Sequence, residues 1–249
     1  MPNPMRLTAG FTQHAKFQPF QAIGVPDPNF YCDVSDDFVF YVAGRYTPGA
    51  VGNGGIAVAN RAGGVIGFST NNSTPLATDY TTLQTNTASQ TLTGGVKTAF
   101  ACRLSLPDAV NPAVNVGIIQ QTATPFTVTD GIYINKPSGS AAITVYIVVG
   151  SVVKASLAVP NFVIAANTMT DLAFVYEGKD DLLIYAGVGL FGSTPDQNRE
   201  QLGPIARISG VYSGGMFTTA VLCPTLALQS GTASSKLMYV DFFRSLTER

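Results

Sequence analysis

Asp171-Leu172-Ala173-Phe174-Val175-Tyr176, then Glu177-Gly178-Lys179-Asp180-Asp181, then Leu182-Leu183-Ile184-Tyr185-Ala186-Gly187 is the stretch that decides the fold. Two runs rich in β-branched and aromatic side chains flank a polar connection of hairpin length, which predicts two antiparallel strands. Upstream, Ala142-Ile143-Thr144-Val145-Tyr146-Ile147-Val148-Val149 and Ser151-Val152-Val153-Lys154-Ala155-Ser156-Leu157 meet at Gly150-Ser151 and predict a second hairpin. The same texture spreads outward through residues 38–42, 55–59, 65–68, 99–104, 115–120 and 131–134 on one side, and 218–222, 225–229 and 237–244 on the other. A dozen or so short strands punctuated by Gly, Pro, Asn and Ser predict an antiparallel β-sandwich or jelly roll. Helix is expected only as a turn or two around 197–201. The polar stretch 69–95 reads equally as a long surface loop or as edge strands, because threonine tolerates half-exposed pleated positions.

The chemistry-bearing residues are few. Among 249 residues there is one histidine, His14, no tryptophan, and only 12% charged side chains. General acid–base catalysis draws on titratable groups tuned by burial and neighbours, and that supply is thin. The expectation is therefore no catalytic residues, no cofactor and no metal. With 14 basic and 15 acidic residues the net charge is −1, which lacks the positive footprint of a nucleic-acid or anionic-membrane binder. Cys32, Cys102 and Cys223 are far apart without a C-x-x-C spacing and read as small buried hydrophobes. No secretory signal and no membrane-length apolar run is visible, so a soluble protein maturing in a reducing cytoplasm is expected.

Residues 1–30 differ from the rest. Pro2, Pro4, Pro19, Pro26 and Pro28 exclude regular helix and disfavour a central strand, yet the segment carries Phe11, Phe17, Phe20 and Phe30. These rings either lie back on their own domain or anchor an extended N-terminal arm on a neighbouring subunit. The expected organisation is an arm over 1–30 and a sandwich domain over 31–249, with Phe11, Phe17 and Phe20 as the anchors.

Candidate sites weigh little on inspection. Asp33, Asp36 and Asp37 cluster on a Ser-containing turn, and Asp180-Asp181 sits at a hairpin tip; aspartates at turns commonly satisfy backbone amides. Gly52-Asn53-Gly54-Gly55 and Ala62-Gly63-Gly64 lack the lysine and the strand-to-helix setting of a phosphate loop and read as tight turns. His14 has no partner in sequence. Asn71 and Asn72 each begin a glycosylation sequon that has no consequence without a secretory signal.

From Lys97 to Arg244 the order of pieces resembles a concanavalin A-like jelly roll, the lectin/glucanase sandwich, in the divergent form met in tailed-bacteriophage structural proteins. The resemblance rests on residues 97–104 as the opening strand, 115–118 with Gly117 as the next, 129–134, the pair 169–176 and 182–187, and 237–244 as the closing strand. Enzymes of that class place two carboxylates on alternate residues of one strand, Glu-x-Asp-x-x-Glu in type, and no such strand is present here. Lectins of the class use metal-ordered loops and aromatic platforms. The Asp-x-Asp-x-Asp-Gly spacing is missing, and Tyr80, Tyr133, Tyr146 and Tyr212 are the unranked stacking candidates.

The resemblance, the arm and the catalytic emptiness together point to a virion structural protein of a tailed bacteriophage, a capsid decoration or cement protein. It would be assembled in the host cytoplasm, sit on the capsid exterior against the major capsid protein, and associate with itself, with a trimer favoured. The alternative is a carbohydrate-binding lectin-like module of a phage tail or cell surface.

Overall fold

The computed structural model describes residues 31–249 except 40, 60–63, 72, 87–88, 191–202 and 249, with Tyr31 described as backbone only. The arm with its anchors Phe11, Phe17 and Phe20, His14, and the helix expected at 197–201 lie outside the described residues.

The chain builds two antiparallel sheets. The first runs in the order β14 (Ala206–Ile208), β13 (Leu182–Gly187), β12 (Thr170–Tyr176), β7 (Thr98–Ser105), β16 (Leu237–Glu248), β4 (Val65–Ser69), β3 (Gly55–Ala59). On the β4 side of β16, residues 243–248 pair instead with β1 (Tyr31–Asp36). The second sheet runs β11 (Val152–Val163), β10 (Ala142–Val149), β9 (Gly131–Lys136), β8 (Ala113–Gln120), β15 (Thr218–Gln229), β5 (Tyr80–Thr85), β2 (Tyr46–Val51), with β6 (Gln90–Leu92) on the first part of β15. The only helical piece among the described residues is a 3-10 turn, Ala43–Arg45.

Both predicted hairpins form, β12 with β13 in register from Asp171↔Gly187 to Tyr176↔Leu182, and β10 with β11. The β10–β11 turn places Gly150 at φ 58 and Ser151 at φ 64, the two successive left-handed residues that a tight two-residue turn needs. The stretch 69–95 resolves into β5 and β6, and β5 is an interior strand between β15 and β2 rather than an edge. The two runs 218–222 and 225–229 are one strand. Pro224 survives inside it because the partner on one side changes there, from β5 at Thr225 to β6 at Leu222.

Phe38, Val39, Tyr41 and Val42 are not in a strand. The Asp36 carboxylate accepts the Phe38 N–H at 2.8 Å and turns the chain, and Phe38, at φ 51, enters the core beside Phe243 and Tyr46. Of the described residues of the run only Phe38 is buried, while Val39 and Val42 stand about half exposed at 49% and 50%. Of the acidic residues of this region, Asp33 and Asp36 are on β1 rather than on a turn, while Asp36 and Asp37 accept the N–H groups of Phe38 and Val39 where the chain turns.

The main core lies between the sheets, where Phe100 and Phe174, directly opposite in register, stack with centroids 5.7 Å apart. Each such ring is worth about 2 kcal/mol in buried surface. A second buried cluster, Ala99, Ala101, Ala173, Val175, Phe242 and Leu246, occupies the opposite face of the first sheet, with Tyr185 and Leu190 against it. The middle of that sheet is therefore buried on both faces, and its strands read as continuous apolar runs rather than as alternation.

Candidate functional site

The outward face of the second sheet collects the polar residues. Register places Ser156, Tyr146, Tyr133, Gly117, Thr225, Gln84 and Thr47 in one row across seven strands. The next row holds Thr144, Asn135, Asn115, Ala227, Thr82 and Gly49. Every side chain in these two rows is neutral. β8, where an alternating acidic strand could have stood, turns Ala113, Asn115, Gly117 and Ile119 outward.

Gly117 shapes this face. A Cβ there would lie 2.6 Å from Tyr133 Cα and 2.9 Å from Tyr133 Cβ, so only glycine lets β8 and β9 approach this closely at Tyr133. Tyr133 stacks on Tyr146 with centroids 5.3 Å apart and planes 18° from parallel. Burial, helped by Tyr146, pushes the Tyr133 hydroxyl up to about 12. Two of the four candidate tyrosines thus form one platform. Tyr80 lies elsewhere on the face, packed on Phe126 and donating to the Ala123 carbonyl, and Tyr212 stands apart beside Phe217.

The loop after β8 folds back over the face. Asn115 Nδ2 donates to the Pro125 carbonyl at 2.9 Å, and the Thr122 N–H donates to Gln84 Oε1 at 3.2 Å. Beneath, Asn135 Nδ2 donates to Asn115 Oδ1 at 2.6 Å and Gln84 Nε2 to Thr225 Oγ1 at 3.1 Å. Asn115, Gln84 and Thr225 are accordingly buried and engaged by their neighbours and the loop, while buried Thr82 donates to the Leu226 carbonyl at 3.3 Å and Thr225 to the Cys223 carbonyl at 3.3 Å. A cleft of about 390 Å³ remains beside it, lined by Thr47, Thr82, Gln84, Gln121 and Thr122 with backbone from Gly49.

A charged network on the outward face of the first sheet was not legible in sequence. Arg103 donates to both oxygens of Asp171, at 2.6 and 3.2 Å, and to Asp241 at 3.3 Å, with its guanidinium 5.4 Å from the Phe242 ring centre. One extra residue in β16 opposite β7 sets Asp241 and Phe242 together beside Arg103. Burial raises the Asp241 carboxyl against the pull of Arg103. Two carboxylates held by one guanidinium form an ion-pair network. The available signal was a lone charge inside each of two apolar strands.

Two further clusters tie loops to strands. Lys136, 1% exposed, points inward at the end of β9 and donates to the carbonyls of Val110 (2.9 Å), Pro137 (3.2 Å) and Pro112. Burial pushes its ammonium down to about 8, with Asp108 opposing and Lys236 adding. Asp108 accepts from Lys236 Nζ at 2.7 Å and Asn111 Nδ2 at 2.8 Å. Burial alone would raise its carboxyl, but these bonds and two backbone N–H groups hold it far below the usual range. The predicted aspartates are likewise engaged: Asp33 grips Arg244 through both oxygens at 3.0 and 2.6 Å, and Asp36 takes Tyr46 and Arg45. At the β12–β13 tip, Asp180 accepts the Ser213 N–H at 2.8 Å. The three cysteines are unpaired; Cys102 and Cys223 are buried as expected, while half-buried Cys32 meets Ser89. Among the described residues no three His, Cys, Asp or Glu side chains are grouped to hold a metal, and no helix is long and apolar enough to cross a membrane.

No protein-family model matches this sequence, and no curated protein does. Solved structures do match in fold. The β-glucanase of Bacillus licheniformis superposes with a TM-score of 0.55 at 14% identity, covering 86% of this chain and 97% of that one. Peanut lectin superposes at 0.54 and 10% identity, covering 87% and 97%. A protein of unknown function from Shewanella oneidensis reaches 0.56 at 12% identity, covering 90% and 95%. The fold is therefore the concanavalin A-like lectin/glucanase jelly roll expected from the sequence, a fold that serves enzymes and lectins alike.

Proposed function

We propose that this protein acts through surface contact rather than chemistry, as a structural protein of a tailed-bacteriophage particle of the capsid decoration or cement type. The observation that supports this is the state of the second sheet's outward face. The polar groups of Asn115, Asn135, Gln84 and Thr225 at its centre are engaged by one another and by the loop over residues 121–126, and the cleft beside them is lined by no charged side chain. Around the sandwich, Leu76, Val152, Val153, Val163 and Val188 stand more than half exposed, which suits a molecule whose apolar surface is completed by neighbours. Many moderate contacts repeated by symmetry add up across a shell. In this reading Phe11, Phe17 and Phe20 anchor the arm on the major capsid protein, self-association supplies the repeating unit, and the protein resides on the capsid exterior.

The test is quantitative mass spectrometry of purified particles from the source. Hundreds of copies per particle are expected, and absence from particles overturns the reading. The full chain with Phe11, Phe17 and Phe20 all replaced by Ser should keep its fold and lose attachment.

A second reading, a lectin-like module for a neutral glycan, is favoured by the 390 Å³ cleft, whose polar side chains are all hydroxyls and carboxamides. Such groups match sugar hydroxyls without charge. Binding on a glycan array that is lost in Gln121→Ala would establish it.

A further inference from the structure

Six of the described strands have a paired neighbour on one side only, and they are not alike: β6 is three residues long, β1 carries Asp33 and Asp36, and the other four end the two sheets. A sheet edge bears unpaired N–H and C=O groups, and proteins blunt such edges with shortness, charge, proline or bulges. β14 is three residues long and carries Arg207. β2 contains Pro48. β11 carries one extra residue, Lys154, between its pairs Val153↔Val148 and Ala155↔Ile147, and holds Pro160 and left-handed Asn161 (φ 56) further on. β3 has none of these devices. Gly55-Ile56-Ala57-Val58-Ala59 pairs with β4 in unbroken register, contains no charge and no proline, and leaves Gly55, Ala57 and Val58 exposed.

Its side chains are also placed for a particular partner. Ile56 and Val58 lie opposite Phe68 and Ile66, two core residues, so they stand on the inner side of the sheet. Ile56 packs against the core, whereas Val58 is 50% exposed, an apolar side chain on the inner face that the described residues leave half uncovered.

We infer that β3 is the docking strand for a second copy of this chain, joined antiparallel about a two-fold axis through Ala57. An antiparallel pair of identical strands centred there sets Ile56 against Val58 of the other copy, twice, and Gly55 against Ala59. The two inner-face pairs extend the core across the junction and cover Val58. The small residues on the other face meet without clash. A strand with no charge offers a charged peptide nothing to read, and two copies bring no like charges together. The first sheets of the two copies become one continuous sheet. This symmetry differs from the three-fold unit expected from sequence, and it deepens the reading of the protein as one that works by contact.

The test uses the full chain in solution. Sedimentation equilibrium between about 1 μM and about 1 mM should show a mass approaching twice 26.1 kDa. Ala57→Lys and Ala57→Glu each place like charges opposite each other across the axis and should weaken the dimer about tenfold or more. Mixing the two variants should restore it, which a misfolded variant cannot do. A monomer throughout, a three-chain mass, or a dimer indifferent to both variants overturns the inference. Because no shell is involved, failure here is read separately from the copy number in particles.

Discussion

Replacing Gly117 by Ala should destabilise the protein by about 3 kcal/mol. The added Cβ would lie 2.6 Å from Tyr133 Cα, whereas carbon atoms pack at about 3.5–4 Å. β9 would therefore have to retreat from β8 by roughly 1 Å. It has little room, because Gly131 presses back from β9: a Cβ there would lie 2.7 Å from Ile119 Cα on β8, and β10 holds β9 in register on its other side. Overpacking of this kind costs about 1–3 kcal/mol, and stretched ladder hydrogen bonds add about 1 kcal/mol more. Urea unfolding followed by far-ultraviolet circular dichroism would show a lower midpoint with an unchanged slope, and the Tm should fall by about 8 °C. Near-ultraviolet dichroism should change as well, since the Tyr133–Tyr146 stack rests on this approach. Gly55→Ala is the matched control, with nothing within 4 Å of its Cβ, and should stay within about 0.5 kcal/mol of wild type. A Gly117→Ala protein equally close to wild type would refute the close approach.

Lys136 gives a pH signature. Its proton leaves near pH 8 in the folded protein but near 10.5 in the unfolded chain, so the unfolded state binds more protons between those values and stability rises with pH across that window. Measured by denaturation at pH 7.5 and 10, the advantage of wild type over Lys136→Met should grow by about 2–3 kcal/mol, and a constant difference would refute the assignment. Asp108 acts in the opposite range: its lowered folded pKa gives stability present above pH 4 or so and lost on acidification, and Asp108→Asn should flatten that acid limb of a Tm–pH curve. Arg103→Met leaves Asp171 and Asp241 without their shared guanidinium and should cost about 3–5 kcal/mol in urea unfolding, with a cost below 1 kcal/mol counting against the network. Adding a calcium chelator should leave the Tm unchanged, and a large drop would revive a metal-ordered lectin site.

The hairpins β10–β11 and β12–β13 were legible because turn chemistry and pattern agree locally. The jelly roll followed from the order of the pieces. What escaped the sequence depends on partners far along the chain. Residues 38–42 looked like a strand because Phe38 is apolar, but a carboxylate two residues earlier turns the chain and makes Phe38 a core plug. Pro224 looked like a break because a proline's tolerance depends on which neighbours the strand has. Asp171 and Asp241 meet only through Arg103, on a strand more than 60 residues from either, so no local pattern announces them. The neutral row through Tyr133, Gly117 and Gln84 exists only as a register across strands, though Gly117 inside an apolar run marked the close approach that shapes it.

The position of β16 has a consequence for how the molecule comes into being. It lies between β7 on one side and β4 and β1 on the other, and of all the described strands it leaves the ribosome last. Until then the first sheet exists as separate pieces: the four strands from β14 to β7, the pair β3 and β4, and β1 alone. β1 waits for a partner roughly two hundred residues downstream, about 10 to 40 seconds at ordinary rates of synthesis. During that interval the unclosed borders of β7 and β4 are open to chaperones and to other nascent chains, and the arrival of one strand closes both at once. A translational pause anywhere between β7 and β16 would lengthen this exposure by its full duration.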